Sequence, residues 1–238
     1  IQMFKKKIIA LVCCRKNSKG IINKNIKTFS GKPLMYWTYK NIYNSKLFDE
    51  IYLSTDSKKF AEIGKNIGFN VPHLRPGNLA KSNSDVFETH KYFFKKMKIK
   101  DQNSYICIIN NNPFIKTDLI KKSFRVFKKN KFGHIVMGAI PVESDQIFFR
   151  QMERKKNTLY PKFGRALIGS KINRQNHKTY YNIGDLRWGK PSWLTNYKNF
   201  NKKICKNGFK YFEVNRLKYQ DINTLSDWKQ ALVKFKNI

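Results

Sequence analysis

Residues 7–55 read KIIALVCCRKNSKGIINKNIKTFSGKPLMYWTYKNIYNSKLFDEIYLST. The apolar run at 7–12 has the length of a buried strand. A helical pattern opens at 31–34, with Pro33 suited to its first turn and Leu34, Trp37 and Asn41 along one face. A second apolar run, 50–55, follows the helix. Strand, helix and strand in this order predict a parallel pair joined by a crossover. The pattern continues outward. A helix starts near Asp56 and Ser57, and an extended piece covers 70–76. A third helix, 84–97, places Val86, Phe87, His90, Phe94 and Met97 at helical spacing. A central strand is expected at 104–109, a helix at 117–130 with Ile120, Phe124 and Phe127 inward, and another strand at 134–140. From about 141 to 181 the alternation breaks down, which predicts an insertion or a dimerisation lobe at about 141–190. It returns with 192–200, a strand at 210–214 and a closing helix at 224–235. That helix is expected to bury Leu225, Trp228, Leu232 and Phe235, with Asp227 capping beside Thr224. The whole reads as one α/β domain: a mostly parallel sheet with helices on both faces and a small lobe.

Composition bounds the function classes. The 238 residues are 41% hydrophobic and 15% aromatic, enough for a sizeable core. No apolar run approaches the roughly 20 residues that cross a bilayer, so no membrane association is expected. The basic cluster before the first apolar run superficially suggests a leader. That run is short, lacks a small-residue cleavage pattern and flows straight into a charged loop, so it reads as a strand of a cytoplasmic protein. Four cysteines form no CxxC pair, and four scattered histidines make no metal constellation. The net charge of +34 admits two readings, nucleic-acid binding or a lysine-rich composition spread over every solvent face. The positions favour the second: Lys121, Lys122, Lys128 and Lys129 share the polar side of one helix, and the pairs Lys155–Lys156 and Lys202–Lys203 are dispersed.

Ligands of open parallel sheets bind beyond the carboxyl ends of the strands, where the loop after the first strand lies. That loop matches neither GxxxxGK[ST] nor GxGxxG. Phosphate held there must be held by side chains: Arg15 can fork two oxygens, Lys24 supplies a point charge and Ser18 donates a hydroxyl. The alternative is a basic loop that is merely solvated.

RKNSKGIINKN (15–25), followed by GKPL (31–34), resembles the N-terminal signature of the CMP-sialic acid synthetases, the acylneuraminate cytidylyltransferases. Further likenesses come in the same order: the segment 51–84, with STD and LRP; NRQ at 173–175; and QDINTLSDW at 220–228. The likeness is strong over residues 1–90 and collinear to the end. It implies a Rossmann-like nucleotide-diphospho-sugar transferase fold, with a lobe that builds a homodimer. It implies transfer of CMP from CTP to a sialic-acid-like nonulosonic acid, with release of pyrophosphate and with Mg²⁺. By resemblance, Arg15 and Lys24 would steady the triphosphate and Ser18 would donate to it. Asn25 would help hold the nucleotide, and Lys19 would assist or stay solvated. Arg75 would lie near the cytosine or ribose, or else pack. Arg174 and Gln175 would face the acceptor sugar. Asp221 and Asn223 stand where the family carries two metal-binding aspartates.

Three departures fall on the metal and sugar sides. Asn223 brings an amide in place of a charge. INNNPF (109–114) stands for the family's sugar-contacting QPTSP, leaving Asn110, Asn111 and Asn112 as an amide-lined acceptor pocket or as turn residues. Ser82 replaces an acid. Another acceptor, or a catalytically silent nucleotide-binding relative, are the alternative readings. Asp56 is expected to serve helix entry.

Overall fold

The structure, a computed structural model, describes residues 6–18, 20–142, 152–155, 158–161 and 181–237. Lys19, Arg174, Gln175 and most of the expected lobe lie outside them. The main sheet has six strands: β1 (Lys7–Cys13), β4 (Glu50–Ser54), β5 (Ser104–Ile109), β6 (Val136–Pro141), β9 (Tyr181–Gly189) and β10 (Lys210–Glu213), in the spatial order β10-β6-β9-β5-β1-β4. Two short hairpins stand apart, β2–β3 (Thr28–Phe29 with Lys32–Pro33) and β7–β8 (Met152–Lys155 with Thr158–Pro161). The helices are α1 (Leu34–Ser45), α2 (Lys58–Ile67), α3 (Val86–Lys96), α4 (Thr117–Lys129), α5 (Tyr197–Asn207) and α6 (Leu225–Lys236).

β1 pairs in parallel with both β4 and β5. Its run of Ile9, Ala10, Leu11 and Val12 is fully buried, as a strand covered on both faces requires. Alternate residues feed two cores. Ala10 and Val12 meet Met35 and Ile42 of α1, Phe60 of α2 and Phe127 of α4. Ile9 and Leu11 meet Phe87, Phe93 and Phe94 of α3 and Phe200 of α5. A third cluster joins Ile21 and Phe29 of the first loop to Phe114, Ile222 and Trp228, so α6 packs over that loop.

The strand that sequence periodicity did not isolate is β9. It runs antiparallel between β5 and β6, setting Leu186 opposite Ile109, and Arg187 opposite both Ile108 and Met137. The other differences are local. Leu225 is 59% exposed, because α6 buries Trp228 and Ala231 instead. Pro33 sits just before α1, paired with Thr28. Val86 faces solvent. Ser57, not Asp56, caps α2, accepting from the Phe60 amide. The Asp56 carboxylate instead accepts the Lys16 amide at 2.8 Å, which ties the first loop down. The capping box of α6 has the expected form, with Thr224 and Asp227 bonding reciprocally.

Candidate active site

The first loop leaves β1 at Cys13, and β5 ends at Ile109; between them opens a cavity of about 420 Å³. Arg15, Ser18, Lys24 and Asn25 line it from the first loop, and Asn110, Asn111 and Asn112 from the turn after β5. Asp185 enters from β9, and Asp221, Ile222 and Asn223 from the segment before α6.

Local bonding explains how a loop with one glycine keeps its shape. Asn23 takes the left-handed conformation (φ 53°), followed by one short turn, Lys24–Ile26. Asn25 is buried there. Its amide donates to the Arg15 carbonyl at 3.1 Å and accepts from Asn111 at 2.9 Å, while Thr38 of α1 donates to Asn111 at 2.7 Å. Asn25 and Asn111 are therefore braces of the cavity wall, with both ends of the Asn111 amide taken. Arg15 reaches across to the Lys81 carbonyl at 3.3 Å. The Lys24 ammonium donates to the Ile222 carbonyl at 2.6 Å. Gly20 passes so close to Asn223 that a Cβ on it would lie 1.8 Å from the Asn223 carbonyl oxygen. The glycine is there for contact between two segments, not for a phosphate cradle.

Asn112 is buried and fully committed, to Asp185, to the Gln220 carbonyl and to the Phe114 amide. Asp185 is the feature that sequence reading missed. Its carboxylate accepts from Asn110 at 2.8 Å, from Asn112 at 2.8 Å and from the Tyr219 hydroxyl. Burial, and next the charge of Asp185, push the Tyr219 hydroxyl well above its usual range, so it stays a donor. An aspartate inside an irregular stretch carried no signal of its own.

Asp221 and Asn223 face the cavity side by side. Asp221 accepts from its neighbouring Ile222 amide and from the Asn223 side-chain amide, both at 2.8 Å. Because Asn223 donates through nitrogen, its amide oxygen points elsewhere, and the pair offers carboxylate and amide oxygens of the hard type that Mg²⁺ takes. Two such ligands fit a magnesium ion that keeps several waters.

Arg75 lies behind the wall. It is 7% exposed, 3.7 Å from the Asp56 carboxylate, with Nε and one terminal nitrogen buried and without hydrogen-bond partners. Three of the four cysteines are inert, and Cys205 is exposed. Burial raises Cys13, Cys14 and Cys107 above the usual thiol range, so Cys13 lines the cavity as a neutral thiol. Among the described residues no group of histidines, cysteines and acids could hold a metal ion by itself, and no helix is long and apolar enough to cross a membrane.

A family model described as cytidylyltransferase matches residues 9–186. A pseudaminic acid cytidylyltransferase of Campylobacter jejuni is 26% identical over 97% of both chains. A CMP-N,N'-diacetyllegionaminic acid synthase of Legionella pneumophila is 29% identical over 65% of this chain and 67% of its own. A longer Helicobacter pylori protein, named as a pseudaminic acid cytidylyltransferase and a sugar-nucleotide hydrolase, is 31% identical over 56% of this chain, a match that spans 26% of its own length. Among solved structures, a CMP:2-keto-3-deoxy-manno-octonic acid synthetase complexed with CTP superposes with a TM-score of 0.72 at 11% identity, covering 98% of this chain and 99% of its own. The sheet with its single antiparallel intruder is thus a nucleotidyltransferase fold.

Proposed function

The chain belongs to the cytidylyltransferase family, and from that premise we propose that it transfers CMP from CTP to a sialic-acid-like nonulosonic acid, releasing pyrophosphate. One observation carries the reading: Arg15, Ser18 and Lys24 converge on the same cavity as Asp221 and Asn223, although some 200 residues separate the two segments. In the reaction the acceptor's anomeric oxygen bonds to the α-phosphorus as the α–β anhydride bond breaks. Negative charge grows on the departing pyrophosphate, and a fork of Arg15 with the point charge of Lys24 is suited to meet it. Ser18 donates to the triphosphate, and Lys19 adds charge from the same loop. Arg75, buried 3.7 Å from the Asp56 carboxylate, would add positive charge behind the nucleotide side without itself touching the ligand. Arg174 and Gln175 would complete the acceptor side.

Asp221 and Asn223 would hold Mg²⁺, which when bound neutralises phosphate charge. Their amide-for-carboxylate difference from the family pattern makes the metal grip weaker. It also favours the second reading, a nucleotide-binding relative without turnover. A homodimer built through the region at about 141–190 accords with the exposed Tyr181, Ile183 and Tyr211 at its border. The setting proposed is cytoplasmic, since CTP is an intracellular substrate.

The test is incubation with CTP, Mg²⁺ and a panel of nonulosonic acids, following pyrophosphate. Release with at least one acid is expected. Folded protein that binds CTP but releases none with any acid would support the silent reading.

A further inference from the structure

Residues 219–223, which bring Asp221 and Asn223 to the cavity, belong to no helix or strand. Their place is set by individual hydrogen bonds instead. The far end is fixed by the first loop and α6: Lys24 donates to the Ile222 carbonyl, and the Asn223 backbone amide donates to Asp227. The near end is fixed by Lys234 of α6, which donates to the Tyr219 carbonyl at 2.9 Å, and by β9. On the β9 side, the Tyr219 hydroxyl donates to the Asp185 carboxylate. The side-chain nitrogen of Asn112 donates both to that same carboxylate oxygen at 2.8 Å and to the Gln220 carbonyl at 3.1 Å. Asp185 therefore lies within two hydrogen-bond lengths of the peptide group that leads into Asp221.

The position demands a carboxylate. Asn110 donates to one oxygen of Asp185, and Asn112 and Tyr219 donate to the other. An amide there would offer a single oxygen and turn its N–H groups against a donor on the other side. The carboxylate also has a cost, because it sets a negative charge in the wall of a cavity proposed to take a triphosphate. β9 gives it a fixed frame: the strand is paired on both sides, and the Asn110 backbone amide donates to the Asp185 carbonyl at 2.9 Å. An anion kept in spite of phosphate, gathering donors from the turn after β5 and from residue 219, is placed to hold other residues still.

We propose that Asp185 is a positioning residue for the metal-holding segment: through Tyr219, and through Asn112 and the Gln220 carbonyl, it sets where Asp221 meets Mg²⁺. This rests on the cytidylyl-transfer reading with its Mg²⁺, and adds the side chain that places the ligand. Asp185 acts through Asp221 and touches neither the nucleotide nor the metal. Outer partners of this kind typically account for about 10- to 100-fold in metal affinity.

The experiment measures CTP affinity by calorimetry, with Mg²⁺ and with EDTA, and takes the ratio of the two as the metal's contribution. It compares wild type, Asp185→Asn, Asp221→Asn, the double variant and Tyr219→Phe. Asp185→Asn should lower the ratio about 10- to 100-fold, while CTP affinity in EDTA does not fall, since only a repelling charge is lost. In the Asp221→Asn background, Asp185→Asn should lower the ratio no further, because the ligand it places is gone. Tyr219→Phe removes one donor and should lower the ratio about 2- to 10-fold; it serves as the readout if Asp185→Asn does not fold. An unchanged ratio, a further loss in the double variant, or a fall of affinity in EDTA overturns the positioning role. So does a wild type whose CTP affinity is indifferent to Mg²⁺. Pyrophosphate release is followed separately: a wild type that releases none with any acid sinks the transfer reading, while the ratios still decide the role of Asp185.

Discussion

Lys24 donates its ammonium to the Ile222 carbonyl at 2.6 Å, joining the first loop to the last segment of the site across 198 residues of chain. The contact sets the distance between the cationic side of the cavity and the Asp221–Asn223 side. Lys24→Met keeps the stem and removes the charge and the bond. A charge-assisted hydrogen bond is worth about 1.5–3 kcal/mol, so CTP affinity should fall about 10- to 100-fold. Isothermal titration with CTP checks this, and near-wild-type affinity would remove Lys24 from the nucleotide grip.

The same two segments touch at Gly20, where a Cβ would fall 1.8 Å from the Asn223 carbonyl oxygen. The obstacle is backbone, which yields poorly. Gly20→Ala should therefore cost about 1–3 kcal/mol through forced separation of the segments, and it should weaken nucleotide binding at the same time. Thermal melting read beside CTP titration shows whether both change together.

Asn223→Asp adds a carboxylate next to Asp221, which already faces the cavity. Mg²⁺ affinity should rise at least about tenfold, since a second full charge meets the ion at close range. Calorimetry with Mg²⁺ alone reads this without any assay of turnover. Unchanged affinity would mean that the metal sits elsewhere.

His90 supplies a pH prediction. Its ring is fully buried, its Nδ1–H donates to the Leu194 carbonyl at 3.0 Å, and its Nε2 has no partner. Burial first, then the charge of Arg187, push its pKa down to about 3 from 6.5. Between those values the unfolded chain binds a proton that the folded chain refuses. Stability from this group is thus intact above pH 6.5 and is lost as pH falls toward 3, by up to about 1.4 kcal/mol per pH unit. Urea melts at pH 7 and pH 5 should show a larger loss for wild type than for His90→Gln. Equal losses would place the acid sensitivity in other groups.

Much of the architecture could be read from residue spacing, because α1 to α4 and β1 to β6 alternate locally, and each buried face repeats at its own period. The loop cations were legible for a similar reason: a run of charge after a buried strand is visible without any partner. The roles of Asn25 and Asn111 were not, because an amide that braces and an amide that binds look alike until their partners are known. Asp185 was hidden more deeply. β9 finds its neighbours at β5 and β6, far back along the chain, and no local period announces an antiparallel strand inserted between them. Asp56 was misassigned because the capping signal is shared by two adjacent residues, and only the geometry shows that Ser57 takes it.

The third apolar cluster has a consequence for how the protein is made. Ile21 and Phe29 share a cluster with Leu34 and Phe114, but its cover is completed only when Ile222 and Trp228 arrive. On the ribosome, a nascent chain that already displays Arg15 and Lys24 remains incompetent through most of its own translation, its nucleotide pocket completed only when residues beyond 220 leave the exit tunnel.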